Sequence, residues 1–434
     1  MKNRRSLTAV SILLTALIVL GGRAFAEVSV NGSIETENGL LFKTSLLQNY
    51  QNTLGIKLEY GAEKYHLYAN PELKVSSLST VSDLSELQSI DRIAPYTLNL
   101  KEAYIDIYEF LIPVLDVRMG KQVVVWGTAD RINPTSSFCP ADLSDLFDWG
   151  EKLGVIAFLM NFYIGDIIIT GVYTPVFTPT LLPQNFEQMA GTSLGAPTLE
   201  LPGQVLGESQ QVALRVNLPI STFDISTSYY YGRYSIPVAY EVWVQTDQSI
   251  ESSKSYFPRL HVVGADFSGN LFDLGLWGEL GVFIPEPYST KSYYNHPSFG
   301  WIPKDDIAST PYVRYVLGTD YTFKNGIYVN FQFAHGFDHE IGKDLLNDYF
   351  ITRLEKSFFD DKLKILPLTV IFTVSEWSDI PNNYGLAWVP EIQFFPSDNL
   401  ELSTGCYILH GSGSNLFNNL KDNDALFFKA KVSF

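Results

Sequence analysis

Apolar and polar residues alternate along most of the chain that follows residue 26. Residues 326–335 are typical, because alternate positions are apolar on one side and mostly polar on the other: Ile327, Val329, Phe331 and Phe333 against Tyr328, Asn330, Gln332 and Ala334. Successive side chains of a β-strand point to opposite faces. The pattern therefore predicts strands with one apolar face, which suit either a water-soluble sandwich or the outside of a membrane barrel.

The number and spacing of these segments favour the barrel. We predict eighteen strands, near residues 27–36, 53–60, 65–75, 97–108, 114–126, 152–162, 167–173, 210–218, 222–231, 258–267, 271–283, 312–323, 326–335, 349–358, 363–374, 385–395, 399–409 and 424–434. Tight and long connections alternate between them, as in outer-membrane barrels, whose strand number is even. The predicted fold class is all-β: a transmembrane antiparallel β-barrel of about 18 strands (16 to 18), with short periplasmic turns, long external loops and both termini periplasmic.

The last strand supports the same interpretation. Its alternate positions are apolar up to the terminal residue: Leu426, Phe428, Ala430, Val432 and Phe434. This ending resembles the signal that the barrel-assembly machinery reads, so we expect that machinery and outer-membrane lipid as partners. Aromatic residues at strand ends are predicted to form interfacial girdles: Tyr60, Trp126, Tyr173, Tyr229, Tyr231, Phe283, Phe323, Trp388 and Phe395.

The first 26 residues have a different pattern. Lys2, Arg4 and Arg5 precede an apolar run from Ala9 to Leu20, and small residues follow at positions 24 and 26. This order predicts a signal peptide over residues 1–26, removed to leave a single barrel domain over residues 27–434. A retained membrane helix is the alternative, but the apolar run is shorter than the roughly 20 residues that a span needs.

Composition narrows the class of function further. The formal net charge is −17, and residues 1–26 contribute four basic and no acidic residues, so the remaining chain carries −21. Such acidity argues against nucleic acid as a partner, because phosphates require a basic surface. Cys139 and Cys406 are the two cysteines. We expect both to be free thiols, since one falls in a long loop and the other on a strand face.

One local motif points to a family. Residues 120–134 read Gly-Lys-Gln-Val-Val-Val-Trp-Gly-Thr-Ala-Asp-Arg-Ile-Asn-Pro, and Pro140-Ala-Asp142-Leu143 follows. A strand ending in G-K-Q-x-x-x-W-G before a loop with N-P and P-x-D resembles a broad family of porin-like outer-membrane proteins of uncharacterised function. The chain departs from that family at Thr135-Ser136, where x-Asp is usual, and at Cys139, where Asn is usual. The strand count is distantly similar to that of alginate-export channels, which implies no substrate.

The loop after the fifth predicted strand is our candidate constriction. In well-studied porins the third external loop folds into the barrel, and by analogy we expect residues 127–151 to do so. The loop carries six charged candidates: Asp130, Arg131, Asp142, Asp145, Asp148 and Glu151. An acidic loop exposed to solvent is the alternative.

The polar strand faces would line the lumen. The candidate pore-lining residues are Glu102, Asp106, Arg118, Arg215, Glu279, Arg314, Asp320, Arg353, Glu355 and Glu391, together with Asp224, Glu401, Lys429 and Lys431. Charges of both signs across a water-filled bore orient polar solutes, and an acidic excess concentrates cations. Alternatively, these side chains pair across strands and plug the lumen.

These features predict an outer-membrane porin-like channel for passive diffusion of small polar solutes, weakly cation-favouring. The alternatives are an export channel for polysaccharide or another anionic polymer, and a plugged barrel with a structural or adhesive role. No nucleophile or phosphate-binding motif is present, so we predict no enzyme, no catalytic residue and no cofactor. His335 and His339 flank Asp338, but a loop is favoured over a metal site there. The sequence predicts neither the permeant solute nor the oligomeric state.

Overall fold

The computed structural model describes residues 27–144, 150–183, 186–190, 195–203, 205, 207–307 and 310–434. Across these residues the chain forms twenty-four strands: β1 (Glu27–Leu41), β2 (Leu47–Ala62), β3 (Tyr65–Ser76), β4 (Tyr96–Ile107), β5 (Leu115–Gln122), β6 (Val155–Ile164), β7 (Ile167–Thr174), β8 (Ala196–Glu200), β9 (Gln211–Ile220), β10 (Phe223–Arg233), β11 (Val238–Val244), β12 (Ile250–Tyr256), β13 (Arg259–Leu271), β14 (Leu274–Pro285), β15 (Ser289–His296), β16 (Gly300–Ile307), β17 (Tyr312–Thr322), β18 (Ile327–His335), β19 (Asp348–Phe358), β20 (Leu363–Val374), β21 (Tyr384–Trp388), β22 (Glu391–Ser397), β23 (Leu400–Ser412) and β24 (Ala425–Ser433). The helical turns are short: Glu86–Gln88, Ile90–Ile93, Phe186–Ala190, Trp377–Asn382 and Leu416–Asn419. No helix among the described residues is long and apolar enough to cross a membrane.

Nineteen of these strands close into one barrel. Apart from β21 and β22, each barrel strand pairs antiparallel with the next barrel strand along the chain, and β1 pairs with β24 in a register that sets Ser33 opposite Ser433. β21 and β22 are two halves of one strand, because both pair with β20 on one side and β23 on the other. The result is a closed barrel of eighteen strands, which confirms the predicted all-β transmembrane fold.

The two ends of the barrel differ in their connections. At the turn end, which also holds both termini, pairs such as β6 and β7 or β9 and β10 are joined by two residues. Gly165 has a φ of +57° there, a conformation that tight hairpins need. At the loop end the connections are longer, with the exception of residues 42–46. A long connection predicted after residue 36 was wrong, because β1 and β2 both extend toward the loop end.

The two faces of the wall follow the predicted alternation. Apolar side chains such as Leu317, Phe331 and Phe428 are exposed on the outside, whereas Asn330 and Gln332 are buried on the inside. Among the predicted girdle residues, Tyr229, Phe323 and Trp388 are exposed outside. Trp126 and Phe283 are 5% and 4% exposed. Their assignment to a girdle was wrong, because both pack inside the barrel in one apolar cluster.

A second sheet lies within three of the long connections. Its five strands run in the order β16, β15, β11, β12, β8, and the β11–β15 and β12–β8 pairs are parallel. We had predicted these segments as loops, and that prediction was wrong. The strands are short, β8 is exposed along its whole length, and the hairpins β11–β12 and β15–β16 are joined to each other and to β8 by pairing between connections. Local periodicity does not report such pairing.

Candidate functional site

The chain turns into the barrel directly after β5. We name the described residues 123–144 and 150–154 the inner segment. Gln122 is fully buried and its side-chain amide donates to the carbonyl of Ala157, while the Val123 N–H donates to the Glu102 carboxylate at 2.9 Å. Val124, Trp126 and Phe138 then pack against inward side chains of β6, β7, β9, β10 and β13. The predicted extension of this strand to residue 126 was therefore wrong. Burying these apolar side chains favours the inward path.

One buried carboxylate on β14 binds the first part of this segment. Glu279 is 3% exposed, and its oxygens accept from the N–H groups of Thr128 and Ala129, each at 2.6 Å. They also accept from the Asn133 side-chain amide at 2.8 Å and the Thr135 hydroxyl at 3.0 Å. A buried carboxylate is costly unless donors replace its water. These donors come from residues about 150 positions away in the chain.

Gly127 makes room for that carboxylate. Its φ is +97°, a left-handed conformation that side chains disfavour. A Cβ atom built at this position would overlap both oxygens of Glu279. Glycine is therefore required here for close approach as well as for conformation.

A second contact joins the same segment to β18. The Asp130 carboxylate accepts from the side-chain amides of Asn330 and Gln332, each at 2.9 Å. The Gln332 carbonyl oxygen in turn accepts from the indole N–H of Trp277 at 3.3 Å. Ala129 and Ile132 pack beside Trp277 in a second apolar cluster. The segment thus spans the inner wall from β6 to β18.

The end of the segment is held by ion pairs. Lys152 lies 2.8 Å from Asp338 in the β18–β19 connection, and Arg314 lies 3.8 Å from the same carboxylate and over the ring of Phe283. Burial raises the pKa of Asp338, but Lys152 and Arg314 outweigh it and the net pKa lies below the ordinary aspartate value. Burial also lowers the pKa of the neighbouring His339.

The predicted loop residues occupy different positions. Asp130 binds the wall as described, and Glu151 pairs with Lys101, which also pairs with Glu72 at 2.8 Å. Asp142 accepts from the Ser144 N–H within its own turn, and Arg131 is exposed. Asp145 and Asp148 lie outside the described residues.

The predicted pore-lining residues divide into two groups. Glu279 and Arg314 are 3% and 5% exposed, because Glu279 binds residues 128–135 and Arg314 binds Asp338 and Glu340 of the β18–β19 connection. We name the inward faces of the barrel strands from β6 to β18 the loop-covered wall; Arg215 and Asp224 lie at its turn end, beyond the loop. The inward faces of β19 to β24 and β1 to β5 form the open wall.

The basic side chains of the open wall are partly exposed and paired, whereas carboxylates such as Asp106 and Glu72 are buried. Arg353 and Lys431 are each 43% exposed; Arg353 lies 2.6 Å from Glu355, and Lys431 lies 3.9 Å from Glu35. Further pairs are Arg118 with Asp106 at 2.6 Å, Lys429 with Glu37 at 3.1 Å and Lys364 with Glu355 at 3.6 Å. Glu102 lies where this wall meets the inner segment, Glu391 accepts from Gln393, and Asp320 on β17 accepts from Tyr328.

Several residues of the site were not identified from the sequence. Lys152, Trp277 and Gln332 form its contacts, and Glu340 accepts from the Tyr349 hydroxyl at 2.6 Å behind Asp338. The alternation placed Gln332 on the polar face, but nothing local identifies its partner. Among the described residues no three His, Cys, Asp or Glu side chains are grouped so as to hold a metal ion.

Comparison with known proteins shows likeness in fold only. Neither the family models nor the curated proteins contain a match. Among solved structures, OccAB1 of Acinetobacter baumannii is 8% identical, covers 94% of this chain and 96% of its own, and superposes with a TM-score of 0.51. OmpF of Salmonella typhi, in complex with daunomycin, is 9% identical over 94% of this chain and 97% of its own, with a TM-score of 0.42. OmpT, an outer membrane protein of Vibrio cholerae, is 8% identical over 94% and 98%, with a TM-score of 0.41. The chain is a transmembrane β-barrel.

Proposed function

We propose that this protein is a porin-like channel of the bacterial outer membrane through which small polar solutes diffuse. The observation that carries the proposal is the open wall: half of the barrel presents solvated charges beside a segment that is bound to the other half. An eighteen-stranded barrel is wide enough for a water-filled passage unless its interior is filled. Solutes would pass between the open wall and residues 127–151, which form the proposed constriction.

The charge distribution supports a weak preference for cations. Most basic side chains of the open wall pair with carboxylates, which leaves a modest field. Glu391 and Glu401 face the lumen with no basic side chain within ion-pair distance among the described residues. Lys431 lies opposite Glu401 in the strand register and offsets part of its charge, whereas the charge of Glu391 would raise the local cation concentration.

The alternatives receive less support. An anionic polymer needs a continuous basic track, yet the six candidate basic residues are each paired with a carboxylate: Arg118, Arg215, Arg314, Arg353, Lys429 and Lys431. A plugged barrel is favoured by the apolar clusters near the loop end, where Phe337 and Phe417 also pack inward. Those clusters leave the charged middle of the open wall exposed. We propose no catalytic activity.

The experiment is conductance of the purified protein in planar bilayers. We expect steady channels and, under a salt gradient, a reversal potential of the sign that cation selectivity produces. Absence of conductance from protein that shows heat-modifiable migration, and is therefore folded, would support the plugged barrel. A clear anion preference would refute the charge argument while leaving the channel intact.

Two parts of the proposal concern maturation and family. We propose that residues 1–26 are a removed signal peptide and that both termini lie in the periplasm. N-terminal sequencing of the mature protein tests the first, with residue 27 expected first, and protease accessibility of tags at residue 434 tests the second. We also propose that the chain is related to the porin-like family of uncharacterised function, on the basis of the motif in residues 120–142.

A further inference from the structure

A polar cavity lies on the loop-covered wall, on the turn side of the inner segment. Its volume is about 440 Å³, within the range of sites for small ligands. The lining comes from five neighbouring strands and from Thr128 of the inner segment, and its polar side chains include Asn161, Thr170, Arg215, Asn217 and Asp224. On β13 the inward positions near the loop end, Leu260 and Val262, pack against the segment, whereas Asp266 and Ser268 face this cavity.

The side chains at the back of the cavity are held in place. Arg215 donates to Asp266 at 2.8 Å and to the Ser226 hydroxyl at 2.9 Å, and the Asn217 amide donates to the same hydroxyl at 3.0 Å. Asp266 is buried, yet its second oxygen has no hydrogen-bond partner, and neither does the Nε atom of Arg215. Both atoms are fully buried, so a ligand would contact the more accessible lining groups: the partly exposed Asn161, Thr170 and Asn217 and the exposed carboxylate of Asp224.

The charge of the lining selects among ligands. Asp224 and Asp266 carry two negative charges against one positive charge on Arg215, and Arg215 is already paired. An anion is therefore disfavoured. The other polar side chains are neutral amides and hydroxyls, and Thr170 donates to Asn161 at 2.7 Å. Ile168 and Tyr163 alone offer apolar surface, which is too little for an apolar solute.

We propose that this cavity is a binding subsite for a neutral polyhydroxylated solute of monosaccharide size. Each hydroxyl of such a solute donates and accepts, which matches a lining that mixes amides, hydroxyls and a carboxylate oxygen. The inference rests on the proposed function, because the solute reaches the cavity through the lumen. Thr128 of the inner segment also lines the cavity, and its hydroxyl donates to the carbonyl of Phe267 at 3.1 Å.

The test is block of the ion current by glucose in planar bilayers. We expect glucose to interrupt the wild-type current in a concentration-dependent manner. Asn217→Ala and Asn161→Ala should each raise the apparent glucose dissociation constant about five- to tenfold, the loss of one or two hydrogen bonds. Gln393→Ala removes an amide from the open wall and is the matched control, in which block should be unchanged. Heat-modifiable migration confirms that each variant is folded.

The outcomes separate this inference from the channel itself. No current from folded wild-type protein contradicts the proposed function. Steady current that glucose does not affect overturns the subsite alone. Block that persists in both asparagine variants, or is lost equally in Gln393→Ala, places the sugar elsewhere and also overturns it. Choline chloride is the cationic probe: stronger block by choline than by glucose, removed by Asp224→Asn, would replace the neutral solute with a cationic one.

Discussion

The loop-covered wall and the open wall are built from the same kinds of residues but use them differently. Glu279 on the first is buried and binds four groups of the inner segment, whereas Glu355 on the second pairs with Arg353 beside open lumen. Both follow the same strand alternation. The difference arises because residues 123–144 and 150–154 cover the first wall, whereas they contact the second wall at β4, through Val123 and Glu151.

This contrast has an energetic consequence. A buried carboxylate that loses its donors keeps the full desolvation penalty, so its hydrogen bonds are expensive to break. A half-exposed ion pair regains water when it breaks, and such pairs contribute about 0 to 1 kcal/mol. Substitutions on the loop-covered wall should therefore alter the position of the inner segment, while those on the open wall should alter only the field in the passage.

The largest effect is expected from Glu279→Ala. Removal of the carboxylate leaves buried N–H groups of Thr128 and Ala129 without an acceptor and should weaken the contact by about 3 kcal/mol or more. The reactivity of Cys139 measures this weakening. Its thiol is 2% exposed, and burial raises its pKa to about 11, so it reacts slowly while the inner segment stays in place. In a Cys406→Ser background, maleimide should label Cys139 at least about a hundredfold faster in the variant.

Glu391→Ala is the matched control for that experiment, because it removes a carboxylate from the open wall. Its Cys139 labelling should equal that of the parent protein. Equal labelling in Glu279→Ala would show that the carboxylate does not hold the segment, and the comparison between the two walls would fail.

Gly127→Ala should have the next largest effect. The new Cβ combines a disfavoured φ with overlap on the Glu279 carboxylate, at a cost of about 2 to 4 kcal/mol. Gly165→Ala separates these causes, since Gly165 also has a positive φ but no atom lies near its Cβ position; about 1 kcal/mol is expected. Heat-modifiability midpoints and Cys139 labelling measure both. Equal effects in the two variants would show that overlap with the Glu279 carboxylate does not contribute to the loss of stability in Gly127→Ala.

Acid should loosen the end of the inner segment. Asp338 has a lowered pKa, so its contacts stabilise the folded loop above the ordinary value of about 4 and are lost as the pH falls through the lowered pKa. His339 also has a lowered pKa, and its protonation disfavours the folded loop as the pH falls below about 6.5. Cys139 labelling, corrected for thiolate fraction, should therefore rise toward low pH.

Two variants show which of the two groups causes the pH dependence. Asp338→Asn should label faster at neutral pH and lack the step near pH 4 and below, whereas His339→Asn should lack only the shallower change that begins at higher pH. A pH profile that neither variant alters would exclude both groups. The Lys152–Asp338 and Arg314–Asp338 pairs would then contribute little to holding the segment.

The smallest effect is expected on the open wall. Glu391→Gln with Glu401→Gln removes two carboxylates that form no ion pair among the described residues and should reduce the cation-to-anion permeability ratio by less than about twofold. Conductance and Cys139 labelling should not change. Glu200→Gln, on the exposed strand β8 of the second sheet, is the control for general loss of negative charge. A large change in conductance would mean that these residues also support the inner segment.

Much of the fold was predictable because it follows from local periodicity. The strands around residues 312–323 and 326–335, their faces and their tight turn were all predicted correctly. Trp126 was misassigned because an aromatic residue at the end of an alternating run is typical of a girdle, and only the inward turn at Gln122 buries it. The second sheet was missed because its strands are short and because the pairings that join its two hairpins and β8 connect distant parts of the chain.

By itself the sequence determined the alternation of faces and the strand number. Alternation with period two is a local property of each strand, so it can be predicted from the order of residues alone. Only the tertiary structure decided that Glu279 binds Thr128 and that Arg353 does not bind the segment. Those assignments depend on which strands face each other across a closed barrel, and closure brings together residues that are far apart in the chain.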